Sequence, residues 1–328
     1  MNTLIDTYGR VHRNLRVSLT DRCNLRCTYC MPNDFAAWLP SDHQLTTDEL
    51  VRVIDIAVKE GINEVRLTGG EPLLRPDIVE IVARINAIEN APTLTMTTNA
   101  LTLEKVAKPL ADAGLTRINI SLDTLDRDRF KLMTHRDRID DVFAGIKAAQ
   151  DAGINPIKIN AVLLKGLNAD EAPALLDWAL TNNLALRFIE QMPLDAGGIW
   201  ERSSLVTADD IYADLSQKFE LTPCDGRGSS PAEEFFVNGG PATVGIIGSV
   251  TRPFCGACDR LRLTSDGQLR SCLFSLEEMD LRTAMRNGAS DEDIAARFRK
   301  TVAGKLPGHG INDPKFIQPQ RPMSAIGG

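Results

Sequence analysis

Short apolar runs, rich in β-branched residues, alternate along this chain with stretches in which apolar positions recur three and four residues apart. The runs at 15–19, 64–68, 93–98, 117–122, 157–163 and 185–191 read as strands. Helices are predicted between them. Thr46-Thr47-Asp48-Glu49 has the form of a capping box, opening a helix that stops at Gly61. Ile139, Val142, Phe143, Ile146 and Ala149 repeat at helical spacing, and Gly153 ends that run. Asn168 with Glu171 three residues on predicts another capping box, ahead of helix over 175–180. Pro109 within 105–113 predicts a kink or a late start.

Six strand–helix units imply an α/β fold, a parallel sheet with helices outside it. Periodicity leaves a doubly wound sheet and a βα barrel, complete or incomplete, both open. In a βα barrel the functional site gathers at the C-terminal ends of the strands. Cys23 follows the first predicted strand, and Gly69-Gly70 follows the second. Beyond about residue 200 the pattern changes. A helix over 208–219 leads to a Gly-, Pro- and Ser-rich stretch at 222–231, short strands at 234–237, 243–247 and 261–264, and a helical pair near 280–303. The boundary falls within 200–225, dividing the chain into 1–220 and 221–328.

Composition narrows the function. The chain has 328 residues, 43% apolar and 25% charged, which suits one large globular domain or two. A net charge of −7 argues against an extended nucleic-acid surface, and 3 Trp with 3 Tyr offer no base-stacking platform. A few arginines still suffice for one small anionic ligand. No apolar stretch approaches the roughly 18 residues of a membrane span, and 1–14 does not resemble a signal peptide. A cytoplasmic protein is expected.

Seven cysteines, an odd count without an export signal, make a poor disulfide framework. Six of them form two groups of three. Cys23, Cys27 and Cys30 are spaced C-x3-C-x2-C on a loop straight after a strand. Three thiolates on one short loop can hold three irons of a cubane and leave the fourth iron open. A structural zinc loop, the competing reading, needs four protein ligands. Cys255, Cys258 and Cys272 give C-x2-C-x13-C, again with three ligands. A second cubane with an open iron competes there with a zinc ribbon completed by Cys224 or His309. Arg260 and Arg262, two apart on a strand-like stretch, share one face and suit a phosphate-bearing ligand.

The loop C-x3-C-x-aromatic-C, with Tyr29 as the aromatic, and Gly69-Gly70-Glu71-Pro72 resemble the radical S-adenosylmethionine (SAM) superfamily. The resemblance implies an incomplete (βα)6 barrel of the TIM type, with a C-terminal α+β extension closing its mouth. It implies a [4Fe–4S] cluster on Cys23, Cys27 and Cys30 whose open iron chelates SAM. Gly69, Gly70 and Glu71 would contact the methionine part, and Tyr29 would lie against the adenine. Further matches at 15–23, Cys30-Met31-Pro32, 66–72, Thr97-Thr98-Asn99, 119–123, Lys158-Ile159-Asn160, 187–193 and 321–328 resemble the GTP cyclase family of molybdenum cofactor biosynthesis.

That family uses the 5'-deoxyadenosyl radical to take hydrogen from the ribose C3' of GTP, and C3' then attacks guanine C8. The resemblance implies SAM contacts from Ser121 and Met192 as well. It implies GTP contacts from Arg16, Arg66, Thr97, Lys158, Arg187, Arg260 and Arg262. A second [4Fe–4S] cluster on Cys255, Cys258 and Cys272 would hold the guanine, and Gly327-Gly328 would guide the radical. A low-potential donor such as flavodoxin or ferredoxin, and a downstream enzyme forming the cyclic pyranopterin, are the implied partners; a homodimer is left open. Glu64 stands where the family leads one to expect a basic residue, so it either lies too low in the barrel to matter or pairs with a basic neighbour. Two other readings stay open: a radical SAM enzyme acting on peptides with an auxiliary cluster, and a non-catalytic iron–sulfur electron carrier.

Overall fold

The structure is a computed structural model that describes residues 3–31, 38–195, 198 and 200–327. Six parallel strands run in chain order across the middle of one sheet. They are β1 (Asn14–Ser18), β2 (Glu64–Thr68), β3 (Thr93–Thr98), β4 (Arg117–Ser121), β5 (Ile157–Val162) and β6 (Ala185–Ile189). Each strand lies one place further along than the last. That order belongs to a βα barrel, because a doubly wound sheet reverses direction from its centre. The barrel does not close. β1 pairs on its free side with β10 (Arg260–Leu263), and β6 with β9 (Thr243–Ile247), both parallel. Beyond them β11 (Gln268–Arg270) and β12 (Met279–Asp280) extend one edge. β8 (Glu233–Val237) and β7 (Leu221–Pro223) extend the other, all four antiparallel. Among the described residues this is one twelve-stranded sheet, with the C-terminal part of the chain on both flanks.

Helices α1 (Thr47–Lys59), α2 (Ile78–Asn86), α3 (Ala107–Asp112), α4 (Arg127–Thr134), α5 (Ile139–Asp151) and α6 (Ala172–Thr181) follow the central strands. The capping box of α1 is present: Glu49 N donates to Thr46 Oγ1 at 3.2 Å, and Thr46 N to Glu49 Oε2 at 2.8 Å. Such a cap stabilises a helix by about 1 kcal/mol. Pro109 gives a late start: Leu103–Lys105 form a separate 3-10 turn, and Pro109 falls in the first turn of α3, where it has no ladder bond to lose. The second capping box is not there. Asn168 Oδ1 accepts from Leu164 N at 2.7 Å and its Nδ2 donates to Asp123 O at 2.7 Å, while Glu171 accepts from Thr124 Oγ1 and Leu125 N. Both side chains are taken by tertiary partners. The later helices are α7 (Ala208–Leu215), α8 (Arg282–Arg286), α9 (Asp291–Ala303) and α10 (Met323–Ile326). Among the described residues no helix is long and apolar enough to cross a membrane.

The strands alternate, although parallel strands buried on both faces normally read as unbroken apolar runs. Leu15, Val17, Val65, Leu67, Met96, Ile118, Ile120, Ile159, Leu186 and Phe188 form the core under the helices, each at most 1% exposed. Their neighbours along each strand turn to the other face: Arg16, Arg66, Thr95, Thr97, Asn119, Ser121, Lys158, Asn160 and Arg187. The barrel interior is therefore polar, as a ligand chamber requires. A separate small core of Leu194, Leu205, Val250, Phe274, Ile311 and Ile326, with Met192, Cys272 and Met323 against it, ties the segment after β6 to the second cysteine group and α10.

Candidate functional site

The first cysteine group sits on the loop that leaves β1. Its backbone is pinned from two sides. Arg26 N and Thr28 N donate to Thr134 O and Met133 O at the end of α4, and Arg26 Nη1 reaches Cys23 O at 2.7 Å. On the other side Gly70 N donates to Thr20 O and Glu71 N to Arg22 O, both at 2.7 Å. A Cβ on Gly70 would stand 2.2 Å from Arg22 O, so only glycine allows this approach. The close approach that the glycine turn permits is thus to the strand-end segment 20–22. Glu71 is 1% exposed and accepts from Thr98 Oγ1, Asn99 N and Leu73 N. Burial pushes its carboxyl up to about 7. Tyr29 Oη donates to Asp123 Oδ2 at 2.7 Å, and Val162 N donates to Asp123 Oδ1, which ties the cysteine loop to the ends of β4 and β5.

Burial, reinforced by Glu71, pushes the Cys23 thiol up to about 11. Burial and the neighbouring Cys23 push Cys30 up to about 12, and burial with Asp123 pushes Cys27 well up. Among the described residues no three His, Cys, Asp or Glu side chains converge as ligands of a single metal ion, as zinc would require. Cys23, Cys27 and Cys30 lie on one short loop, a three-thiol donor set of the kind a cubane with an open iron would take. Of the other residues expected at SAM, Ser121 ends β4, and Met192 lies just past β6 against the small core.

Cys255 opens a single 3-10 turn ahead of β10 and Cys258 caps it, and Cys272 follows β11. All three line a cavity of about 660 Å³ with Arg10, Lys305 and Phe274. Burial pushes Cys258 up, but Lys305 and Arg260 beside it more than offset this and its thiol lies below its ordinary value. Of the two candidate fourth ligands of a zinc ribbon, His309 lines the same cavity and Cys224 does not. His309 has each ring nitrogen engaged, with Ser249 O at 3.1 Å and Ile311 N at 3.1 Å. Cys224 lies just past β7 at the far edge of the sheet, with Glu234 and Asp225 as its charged neighbours.

Inside the barrel, Arg16, Arg66, Lys158, Arg187 and Arg260 line one pocket of about 370 Å³. Arg262, Arg16 and Arg66 stand side by side in register across β10, β1 and β2. Burial and the guanidiniums of Arg262, Arg260 and Arg66 hold Arg16 well below the usual arginine range, and burial brings Arg66 down to about 10. Arg16 Nε, Asn119 Nδ2 and Asn160 Oδ1 are buried without a hydrogen-bond partner. Crowded like charges and the two orphaned donors are what an anionic ligand would relieve, while the Asn160 oxygen calls for a donor. Glu64 lines the pocket and pairs with Arg66, Oε1 to Nη2 at 3.5 Å, so it is a basic neighbour's partner and does not lie below the site. Thr97 and Arg262 are not on this lining. Thr97 is the register neighbour of Asn119, which is.

Arg262 is 5% exposed, and its Nη1 donates to the Gly327 carbonyl. Gly327 has φ 89°, and a Cβ there would meet Ser18 Cβ and Thr68 Cγ2, each at 3.0 Å, at the C-terminal ends of β1 and β2. Ser324 N–H donates to the Cys30 thiol, so α10 bridges the first cysteine loop and the barrel interior. Gly328 and Pro32 lie outside the described residues. The pocket also contains Arg117 and Arg227, which sequence reasoning missed. Arg117 shares the strand face of Asn119 and Ser121, a signal that alternation carries. Arg227 comes from the Gly- and Ser-rich stretch, whose composition says nothing of where it folds. Glu234 pairs with Arg187 at 2.9 Å.

Residues 17–179 match the radical SAM superfamily, and 184–311 match a family described as Molybdenum Cofactor Synthesis C. A GTP 3',8-cyclase of Streptomyces coelicolor is 58% identical, over 100% of this chain and 97% of its own length. One from Mycolicibacterium smegmatis is 54% identical, over 99% and 92%. Among solved structures, Streptococcus suis SuiB bound to S-adenosylmethionine superposes with a TM-score of 0.63 over 96% of this chain and 77% of its own. At 15% identity that likeness is one of fold. With cysteine loop, glycine turn and open barrel on one chain, and relatives alike from end to end, the chain belongs to the GTP 3',8-cyclase family of radical SAM enzymes.

Proposed function

We propose that the chain converts GTP to (8S)-3',8-cyclo-7,8-dihydroguanosine 5'-triphosphate, the first step of molybdenum cofactor biosynthesis, by joining ribose C3' to guanine C8. One observation carries this reading best. Cys23 follows the C-terminal end of β1, whereas Cys258 precedes the N-terminal end of β10, which runs parallel to β1. Cys272 follows β11, which is antiparallel to β10, and so lies on the same side as Cys258. The two cysteine groups therefore stand at opposite ends of the strands, about 17 Å of five-residue strand apart, with the guanidinium-lined interior between them. A nucleotide fits that arrangement. An electron carrier would leave the arginine row without a ligand, and nothing in the row selects a peptide.

Cys23, Cys27 and Cys30 would hold the SAM-binding cluster, and Cys255, Cys258 and Cys272 a second one beside the guanine. With SAM bound, the first cluster supplies the one-electron chemistry that removes hydrogen from C3'. The chain's own residues bind and orient. Gly69, Gly70, Glu71, Ser121 and Met192 border SAM, and Tyr29, held by Asp123, presents its ring to the adenine. Arg16, Arg66, Lys158, Arg187 and Arg260 neutralise the triphosphate, with Thr97 beside them. Arg262 fixes the tail, and Gly327 and Gly328 shield the path between SAM and ribose. Electrons come from a low-potential donor such as flavodoxin or ferredoxin, and a pyranopterin-forming enzyme consumes the product.

The test is anaerobic incubation of the reconstituted protein with SAM, dithionite and GTP deuterated at C3'. The 5'-deoxyadenosine formed should carry the deuterium, and a nucleotide of altered retention should accumulate. Unlabelled 5'-deoxyadenosine with GTP recovered intact would refute the reading. Replacing Arg260 by Ala should weaken GTP binding by roughly 1.5–3 kcal/mol, the range of charge-assisted hydrogen bonds and about 10- to 150-fold in Kd. SAM cleavage in the absence of GTP should survive. Equal loss of both would show a folding defect and count against the assignment.

A further inference from the structure

We propose that Lys305 is a positioning and tuning residue for the second cluster, its ammonium serving as the counter-charge of the Cys258 thiolate. The inference rests on the two-cluster reading above. Lys305 is only 4% exposed. Its Nζ donates to Arg260 O at 2.6 Å and points to Cys258 Sγ at 3.6 Å. Among the described residues no carboxylate pairs with it; its charged neighbours are Cys258, Cys272 and Arg10. Of the acids around this site, Asp6 beside Arg10 is already engaged. It accepts from Arg10 Nε at 2.6 Å, meets His12 Nε2 at 3.0 Å, and takes the backbone N–H groups of Tyr8 and Arg10.

An ammonium buried without a counter-charge is costly, and proteins avoid it. Here the missing negative charge is what cluster-bound thiolates would supply. The neighbourhood is also rigid. Arg10 Nη1 donates to Cys255 O and Pro307 O, and its Nη2 to Leu306 O, so the segment that carries Lys305 is latched to the turn that carries Cys255. A fixed positive charge and an N–H donor at a ligand sulfur favour the more negative, reduced state of an iron–sulfur cluster. Lys305 therefore raises the reduction potential of the second cluster and leaves that of the first alone. Through Arg260 O it also holds the start of β10, which carries the arginine row.

The experiment compares the native chain with K305M, K305R and K305Q after anaerobic reconstitution, by iron analysis and by redox titration followed by electron paramagnetic resonance. The second-cluster signal is the one missing from C272S. Native protein and K305R should each hold about eight irons, two cubanes, and titrate alike. K305M should lower the second cluster's one-electron reduction equilibrium about tenfold, which is about 59 mV, with the first cluster unmoved. If K305M does not keep its second cluster, K305Q, which retains an N–H donor without the charge, is titrated instead and should shift the same way. An unchanged midpoint, or equal shifts of both clusters, overturns the role of Lys305. A native chain with about four irons overturns the two-cluster reading itself, and the iron analysis registers that separately.

Discussion

Cys27→Ser is expected to reduce 5'-deoxyadenosine formation to the level of a protein-free control, whereas Cys272→Ser keeps SAM cleavage and forms no cyclised nucleotide. The separation follows from where the strands put the two groups. Cys27 stands on the loop at the C-terminal end of β1, packed against the glycine turn. Cys272 stands beyond β11, at the other end of the barrel interior, and lines a different cavity. Serine keeps the volume near that of cysteine but is a poor iron ligand, so each change removes one ligand at one end. The measurements are iron content, 5'-deoxyadenosine released without GTP, and cyclised nucleotide formed with it. A Cys272→Ser protein that cyclised GTP at the native rate would remove the second group from the substrate site.

Removing Gly327 and Gly328 should abolish the cyclised nucleotide while leaving both clusters and basal SAM cleavage in place. Chain ends are commonly frayed, but Gly327 is held. Its carbonyl takes the Arg262 guanidinium, and it rests on Ser18 and Thr68 where any side chain would be crowded. The fold does not depend on it, because Ile326 anchors α10 in the small core with Leu194, Val250 and Phe274. The loss should therefore appear in product formation and leave thermal stability close to that of the full chain. Product formation at the full-length rate by the truncated chain would make the tail dispensable.

The barrel strands were legible because their two faces differ so sharply. Glu64–Thr68 alternates polar and apolar throughout and Thr93–Thr98 does so up to Thr97, and the structure keeps both spans. Helix α2 was not read. Its Ile78, Ile81, Val82 and Ile85 are buried at helical spacing, but β-branched residues are weak helix formers and tertiary packing overrides their preference. Helix α4 was missed because only Phe130, Met133 and Thr134 of its eight residues are buried, too few to set a period. β11 and β12, three and two residues long, are too short to show any period. The cysteine groups and the glycine turn announce themselves by spacing alone. Lys305 and Arg227 do not. What places them at the site is contact across the fold, as between Lys305 and Cys258, 47 positions apart.

The in-register row Arg262–Arg16–Arg66 bears on the stability of the empty chain. Like charges directly opposite one another on neighbouring strands destabilise a sheet, and three such strands stand beside each other here. The apolar faces of the same strands, through Leu15, Val65 and Leu261, each fully buried, hold the row in place against that repulsion. Part of the ligand's binding free energy is thus present in advance as reduced stability of the unliganded protein. Sequence changes that relieve the row, such as Arg16→Leu, would make a sturdier and idle molecule, the usual conflict between stability and function. Conversely, any polyanion that fills the chamber reinforces the whole sheet, by about 2.7 kcal/mol at a hundredfold excess over its Kd. Selection for a charged chamber has made the chain's resistance to unfolding depend on its substrate supply.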